Sequence, residues 1–255
     1  MPATPDTAQG VVTRTIRLPT KDGGEVSAFV AEPAAPGPHP AIVFGAEAMG
    51  PNAFGREVAT RAAAQGYVTI TPDYYRGEGP SRPDDYSDFT EVMAAIGNLD
   101  FRAATFDLLA GFDWLAAQPQ VDARRIATWG YCTGGTLSLL AACLERRLAA
   151  TVLYFPSQPV FEALTPKRPT HPIDLVWSLG APVLVIYGDR DPIMPPERLA
   201  ELRRRLEQWD IPHEIRIYEG AGHAFSAPAP HMHNAAAADA SWRDAMAFLD
   251  SSLGA

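Results

Sequence analysis

Three residues of this chain carry side chains suited to nucleophilic catalysis, and they fall in a set order: Cys132, Asp191 and His223. A thiol can attack a carbonyl, an imidazole can take up and return the proton, and a carboxylate can fix the imidazole tautomer. Cys132 sits in Gly130-Tyr131-Cys132-Thr133-Gly134-Gly135, between an apolar run (Arg125 to Trp129) and a helix-forming run (Leu137 to Ala142). Gly-x-nucleophile-x-Gly at a strand-to-helix junction makes a tight turn that presents the nucleophile at a helix N-terminus. The helix dipole and free amides there favour a thiolate. The turn leaves no room for a Cβ two residues before or after the nucleophile, and Gly130 and Gly134 meet that demand.

Asp191 lies in Gly188-Asp189-Arg190-Asp191-Pro192, and His223 in Gly220-Ala221-Gly222-His223-Ala224-Phe225. Asp189 competes for the acid role. Asp191 is preferred because it stands directly before Pro192-Ile193-Met194-Pro195, while Asp189 suits a turn. The order nucleophile, acid, base is the one found in α/β-hydrolases. An oxyanion would be held by two backbone amides, those of Thr133 and of Ala48 in the loop after Phe44. Glu47 stands beside the second amide. On the residues alone, a carboxylate acting on the thiol and a surface group or partner of Arg56 are equally open readings. Tyr75 and Arg76 are candidates for the substrate side.

These residues need a frame. From Ala41 onward, apolar strand-like runs alternate with helical patterns, which predicts a mostly parallel sheet of about eight strands with helices on both faces. In such sheets the functional loops lie beyond the carboxyl ends of the strands. A hairpin precedes them, Val11 to Leu18 and Glu25 to Ala31. Asn52 can cap a helix running to about Gln65. Phe89 to Ala117 reads as one or two helices, Pro156 to Pro172 as a long loop, and Ala235 to Leu253 as a terminal helix. Residues 1–10 read as a flexible tail and 11–255 as a single domain. The segments 84–117 and 156–180 are candidates for covering the site.

The 255 residues are enough for one large α/β domain, and 47% hydrophobic with 20% charged residues is ordinary for a globular protein. A net charge of -9 argues against a nucleic-acid partner. Two cysteines make no disulfide framework, and Cys143 reads as core. No leader pattern and no run of membrane-spanning length is evident, so a cytoplasmic location is expected, with no membrane partner. The pair His231 and His233 lacks further ligands, so no metal is expected, nor any organic cofactor.

The set Glu47, Pro72-Asp73-x-Tyr75, Gly130-Tyr131-Cys132-x-Gly134-Gly135, Asp191 and Gly222-His223-x-Phe225 resembles the dienelactone hydrolase (carboxymethylenebutenolidase) family, from about Thr15 to Leu249. The resemblance implies an α/β-hydrolase fold with a Cys132-Asp191-His223 triad. It also implies that Glu47 acts on the resting thiol, and that a thioester acyl-enzyme is hydrolysed by water. That family holds a substrate carboxylate with arginines. Arg76 stands one position from one of them, and Ser226, Ala227 and Pro228 supply no cation where another would lie. A cysteine-dependent hydrolase of a small lactone or activated ester is therefore expected. A non-hydrolytic binding or redox-sensing protein on the same fold, or an acyltransferase, stands as the alternative. The oligomeric state is left open.

Overall fold

The structure is a computed structural model that describes residues 6–8 and 10–254. Its strands are β1 (Asp6–Ala8), β2 (Val11–Pro19), β3 (Glu25–Pro33), β4 (His39–Gly45), β5 (Val68–Pro72), β6 (Val121–Tyr131), β7 (Ala150–Tyr154), β8 (Val183–Gly188) and β9 (His213–Tyr218). Its helices are α1 (Ala53–Ala63), α2 (Thr90–Asn98), α3 (Phe101–Ala116), α4 (Thr133–Leu144), α5 (Pro196–Gln208) and α6 (Ala235–Leu253), with a 3₁₀ segment at Pro172–Ser178. The strands form one sheet in the order β1-β2-β3-β5-β4-β6-β7-β8-β9. It is antiparallel from β1 to β5 and parallel from there to β9.

The central strands are continuous apolar runs because both faces are covered. Along β8, Val183, Val185 and Tyr187 join one core layer while Leu184 and Ile186 join the other. The same alternation sets Ala41 and Val43 of β4 against Ile42 and Phe44. Helices α3, α4 and α5 contribute to the first layer, and α1 and α6 to the second.

The expected mostly parallel sheet of about eight strands is present, with nine strands among the described residues. The ninth is Asp6–Ala8, which was expected to be loose and instead pairs with β2, Asp6 opposite Thr13. Residues 1–5 and 9 lie outside the described residues. The helical stretch after Phe89 divides at Leu99, where Asp100 caps α3 by accepting from the Ala103 amide at 2.9 Å.

The contact between β4, β6 and α4 fixes the site. A Cβ on Gly134 would lie 2.1 Å from the Ala46 carbonyl oxygen, and one on Gly130 would lie 2.1 Å from the Gly134 carbonyl oxygen. Both obstacles are backbone and cannot swing aside. Gly134→Ala is expected to cost about 3 kcal/mol, or roughly 10 °C in Tm, by thermal unfolding. Gly97→Ala in α2 meets nothing within 4 Å and serves as the control, with Tm unchanged or slightly raised.

Candidate active site

Cys132 is the N-cap residue of α4, with φ 51° and ψ -115°. A non-glycine residue at positive φ is strained, and the surrounding backbone holds it there. The Cys132 amide donates to the Tyr154 carbonyl at 3.0 Å, and its carbonyl accepts from Thr136 and Ser157 at 3.1 and 3.2 Å. This clamp places the thiol above the C-terminal edge of the sheet.

His223 follows β9 and Asp191 follows β8, which pair directly, so their loops are neighbours. His223 Nδ1 donates to Asp191 Oδ2 at 2.7 Å. The other carboxylate oxygen of Asp191 accepts from the amides of Ile193 and Met194 at 2.8 and 3.0 Å. Those two amides come from the Pro-Ile-Met-Pro stretch that follows Asp191. Asp189 is exposed and takes no part in this contact. Phe155 packs edge-on to the imidazole, with ring centroids 4.9 Å apart, and helps hold its plane. The second ring nitrogen, Nε2, is buried and has no formed hydrogen bond.

Electrostatics tie sulfur and imidazole together. Burial opposes a charged imidazole, but the Cys132 sulfur and the Asp191 carboxylate outweigh it and push the His223 pKa up to about 10. Burial also opposes a charged sulfur, yet the His223 imidazolium outweighs it, aided by the Ser157 hydroxyl. The thiol therefore lies below its ordinary value, with Glu47 acting against this shift. The arrangement favours a thiolate-imidazolium pair.

Cys132, His223, Glu47 and Ala48 share the wall of a cavity of about 800 Å³. Among the described residues, neither the Thr133 nor the Ala48 amide has a hydrogen-bond partner. Thr133 opens α4, so no carbonyl of its own helix can take its proton.

The sequence matches the dienelactone hydrolase family over residues 26–253. The chain belongs to the dienelactone hydrolase family. A Bradyrhizobium protein named "Probable 2-oxo-3-(5-oxofuran-2-ylidene)propanoate lactonase" is 30% identical over 87% of this chain and 88% of its own. A Salmonella typhimurium protein named "Putative carboxymethylenebutenolidase" is 31% identical over 91% of this chain and 86% of its own. The crystal structure titled "Putative Dienelactone Hydrolase" from Klebsiella pneumoniae superposes with TM-score 0.85 at 27% identity, covering 94% of this chain and 98% of that one. The fold is thus that of the α/β-hydrolases of this family.

Within this hydrolase the two substrate-side candidates lie elsewhere. Arg76 grips Asp107 of α3 with two hydrogen bonds, Nε to Oδ2 at 2.8 Å and Nη2 to Oδ1 at 2.7 Å, and reaches Asp22 at 2.6 Å. Asp107 is wholly buried, and a buried carboxylate demands a paired cation. Tyr75 is also buried. Its hydroxyl donates to the Ala48 carbonyl at 2.8 Å, while Tyr74 donates to the Glu47 carbonyl at 2.6 Å. Both tyrosines brace the loop that carries the Ala48 amide; neither lines the cavity.

Glu47 points into a pair of donors that sequence reasoning missed. Its Oε1 accepts from Asn52 Nδ2 at 2.9 Å and from the Tyr86 hydroxyl. No hydrogen bond joins it to Cys132 among the described residues; its influence on the sulfur is through space. Asn52 also caps α1, accepting from the Gly55 amide at 2.9 Å. The cap is the role its sequence context reveals, and it hides the second one. Tyr86 lies in a polar loop with no periodicity to flag it.

Two outcomes are expected. A thiol of ordinary pKa near 8.5 gains roughly 25-fold in thiolate from pH 7 to 9. His223 holds the Cys132 thiol below its ordinary value, so its alkylation by iodoacetamide should rise by clearly less than that over the same range. His223→Ala removes the partner and should restore the steep rise. Tyr75→Phe frees the Ala48 carbonyl and should lower kcat on an aryl ester about tenfold, with KM little changed.

Proposed function

We propose that this member of the dienelactone hydrolase family cleaves a small lactone or activated carboxylic ester through Cys132, His223 and Asp191. The observation that carries this reading is the buried His223, bonded to Asp191 through Nδ1, with Nε2 uncommitted and the imidazole sharing one cavity wall with the Cys132 sulfur.

The Cys132 thiolate attacks the carbonyl carbon, and the developing oxyanion takes hydrogen bonds from the Thr133 and Ala48 amides. Both amides stand ready because nothing else uses them. Collapse of the tetrahedral intermediate breaks the carbon-oxygen bond and leaves a thioester on Cys132. His223 Nε2 delivers its proton to the departing alkoxide. The now neutral imidazole takes a proton from water, which attacks the thioester and releases the acid. The thiolate re-forms as the second tetrahedral intermediate collapses, and the imidazolium remains opposite it. Asp191 orients the imidazole throughout and stabilises the imidazolium.

Glu47 is a carboxylate held near the sulfur by Asn52 and Tyr86, and it makes the resting thiolate less comfortable. In this reading it limits how far the ion pair with His223 is stabilised before substrate arrives. The relatives named as a lactonase and as a carboxymethylenebutenolidase support ester or lactone chemistry on this frame.

Cys132→Ala should lower kcat/KM for p-nitrophenyl acetate by at least about 10³-fold with Tm unchanged. In His223→Ala, intact-protein mass spectrometry should find an acyl adduct on Cys132 that water clears slowly. Turnover unaffected by loss of the sulfur would end the proposal.

A further inference from the structure

The cavity that holds Cys132 and His223 is also walled by α2 and the loop after Asp191. Val92, Met93 and Ile96 of α2 line it, with Phe89 just before the helix and Ile193 from the loop. Residues 92, 93 and 96 recur at helical spacing on one side of α2. Met93 is 64% and Ile193 52% exposed, so large apolar side chains remain at the rim where ordinary packing would cover them.

Among the described residues no lysine or arginine lines this cavity. The ionisable groups that do are Glu47, Tyr86, Cys132, His223, His231 and His233. The His223 charge is already answered by Asp191 and the sulfur. His233 Nδ1 is committed to the Ala227 carbonyl at 3.1 Å. Cations elsewhere in the region are engaged too. Lys167 donates to the Asn98 carbonyl at 2.8 Å and Arg168 to the Ile96 carbonyl at 2.6 Å, capping the C-terminus of α2. Arg76 is held by Asp107 and Asp22. A carboxylate brought into the cavity would face Glu47 with only the exposed His231 left to answer it, which repays little of the hydration lost.

We propose that this site selects neutral esters or lactones with an extended apolar acyl chain and discriminates against those carrying a carboxylate on that chain. The inference rests on the Cys132 hydrolase reading. During turnover the acyl group is the part that stays bound to the sulfur while the alcohol leaves, so the apolar wall is matched to the acyl chain. A cavity of about 800 Å³ has room for a chain well beyond a two-carbon acyl group. The thioether of Met93 can adapt to chains of differing length. The two cations at the end of α2 hold this wall in place without entering the cavity.

The test is Cys132-dependent hydrolysis of the p-nitrophenyl esters of acetate, butyrate and octanoate, and of the mono-p-nitrophenyl ester of suberate. The last has the eight carbons of octanoate with a carboxylate in place of the terminal methyl. Each buried methylene is worth about fourfold at most, so kcat/KM should rise at least tenfold from acetate to octanoate. It should fall at least tenfold from octanoate to the suberate ester. Met93→Arg, at an exposed position able to take the longer side chain, should raise the suberate ester at least fivefold relative to octanoate. A flat or falling series, a suberate ester cleaved as well as octanoate, or an unaltered preference in Met93→Arg overturns the proposal. If no ester is cleaved and no acyl adduct forms on Cys132, the hydrolase reading fails and takes this inference with it. Cys132-dependent cleavage with the opposite preference leaves that reading standing and removes only the substrate class.

Discussion

The strained turn at Cys132 is the constraint on which the site depends. With φ 51°, the chain leaves β6 and enters α4 within one residue, and only that geometry puts the sulfur above the sheet edge at a helix N-terminus. The strain is tolerated because neighbours over-determine it. Gly130 and Gly134 let backbone meet backbone where any side chain would collide, and β7 and the segment after it take up the Cys132 amide and carbonyl. The same close contact draws the loop after β4 against the start of α4. The Ala48 and Thr133 amides are therefore placed by one packing arrangement rather than by two independent loops.

Around this turn the charges are organised to be tolerable in a buried place. The imidazole draws the Cys132 thiol down, the sulfur and Asp191 draw the His223 imidazole up, and Asp191 is further satisfied by two backbone amides. Glu47 is the odd charge. It is not paired with a cation but held by an amide and a phenol, and burial pushes its pKa up. That choice of donors fixes the Glu47 side chain without giving it a counter-cation. It also explains why Arg76 is absent from the site: the buried Asp107 on α3 takes its fork. A second layer of tyrosines, Tyr74 and Tyr75, fixes carbonyls rather than substrate.

The fold was largely legible because its signals are local. Runs such as Val183 to Tyr187 are apolar at every position, which only strands covered on both faces require. Asn52 announces a helix start, and Gly-x-Cys-x-Gly announces a sharp turn. The pairing of Asp6–Ala8 with β2 was not legible, since a polar three-residue strand has no periodicity of its own and forms only against a partner.

By itself the sequence singled out Cys132, Asp191 and His223 as residues that meet in one place, because the type and spacing of glycines around the first and last are dictated by local backbone geometry. It also determined the alternation of strands and helices that brings their loops to one edge. Only the tertiary structure decided where long side chains end. Arg76 and Tyr75 lie in the same loop that sequence reasoning assigned to substrate, yet one turns to a buried carboxylate on α3 and the other to a backbone carbonyl. Asn52 and Tyr86 reach Glu47 across 5 and 39 positions of sequence. Such partnerships follow from which buried charge most needs a donor, and that demand arises only once the elements have packed.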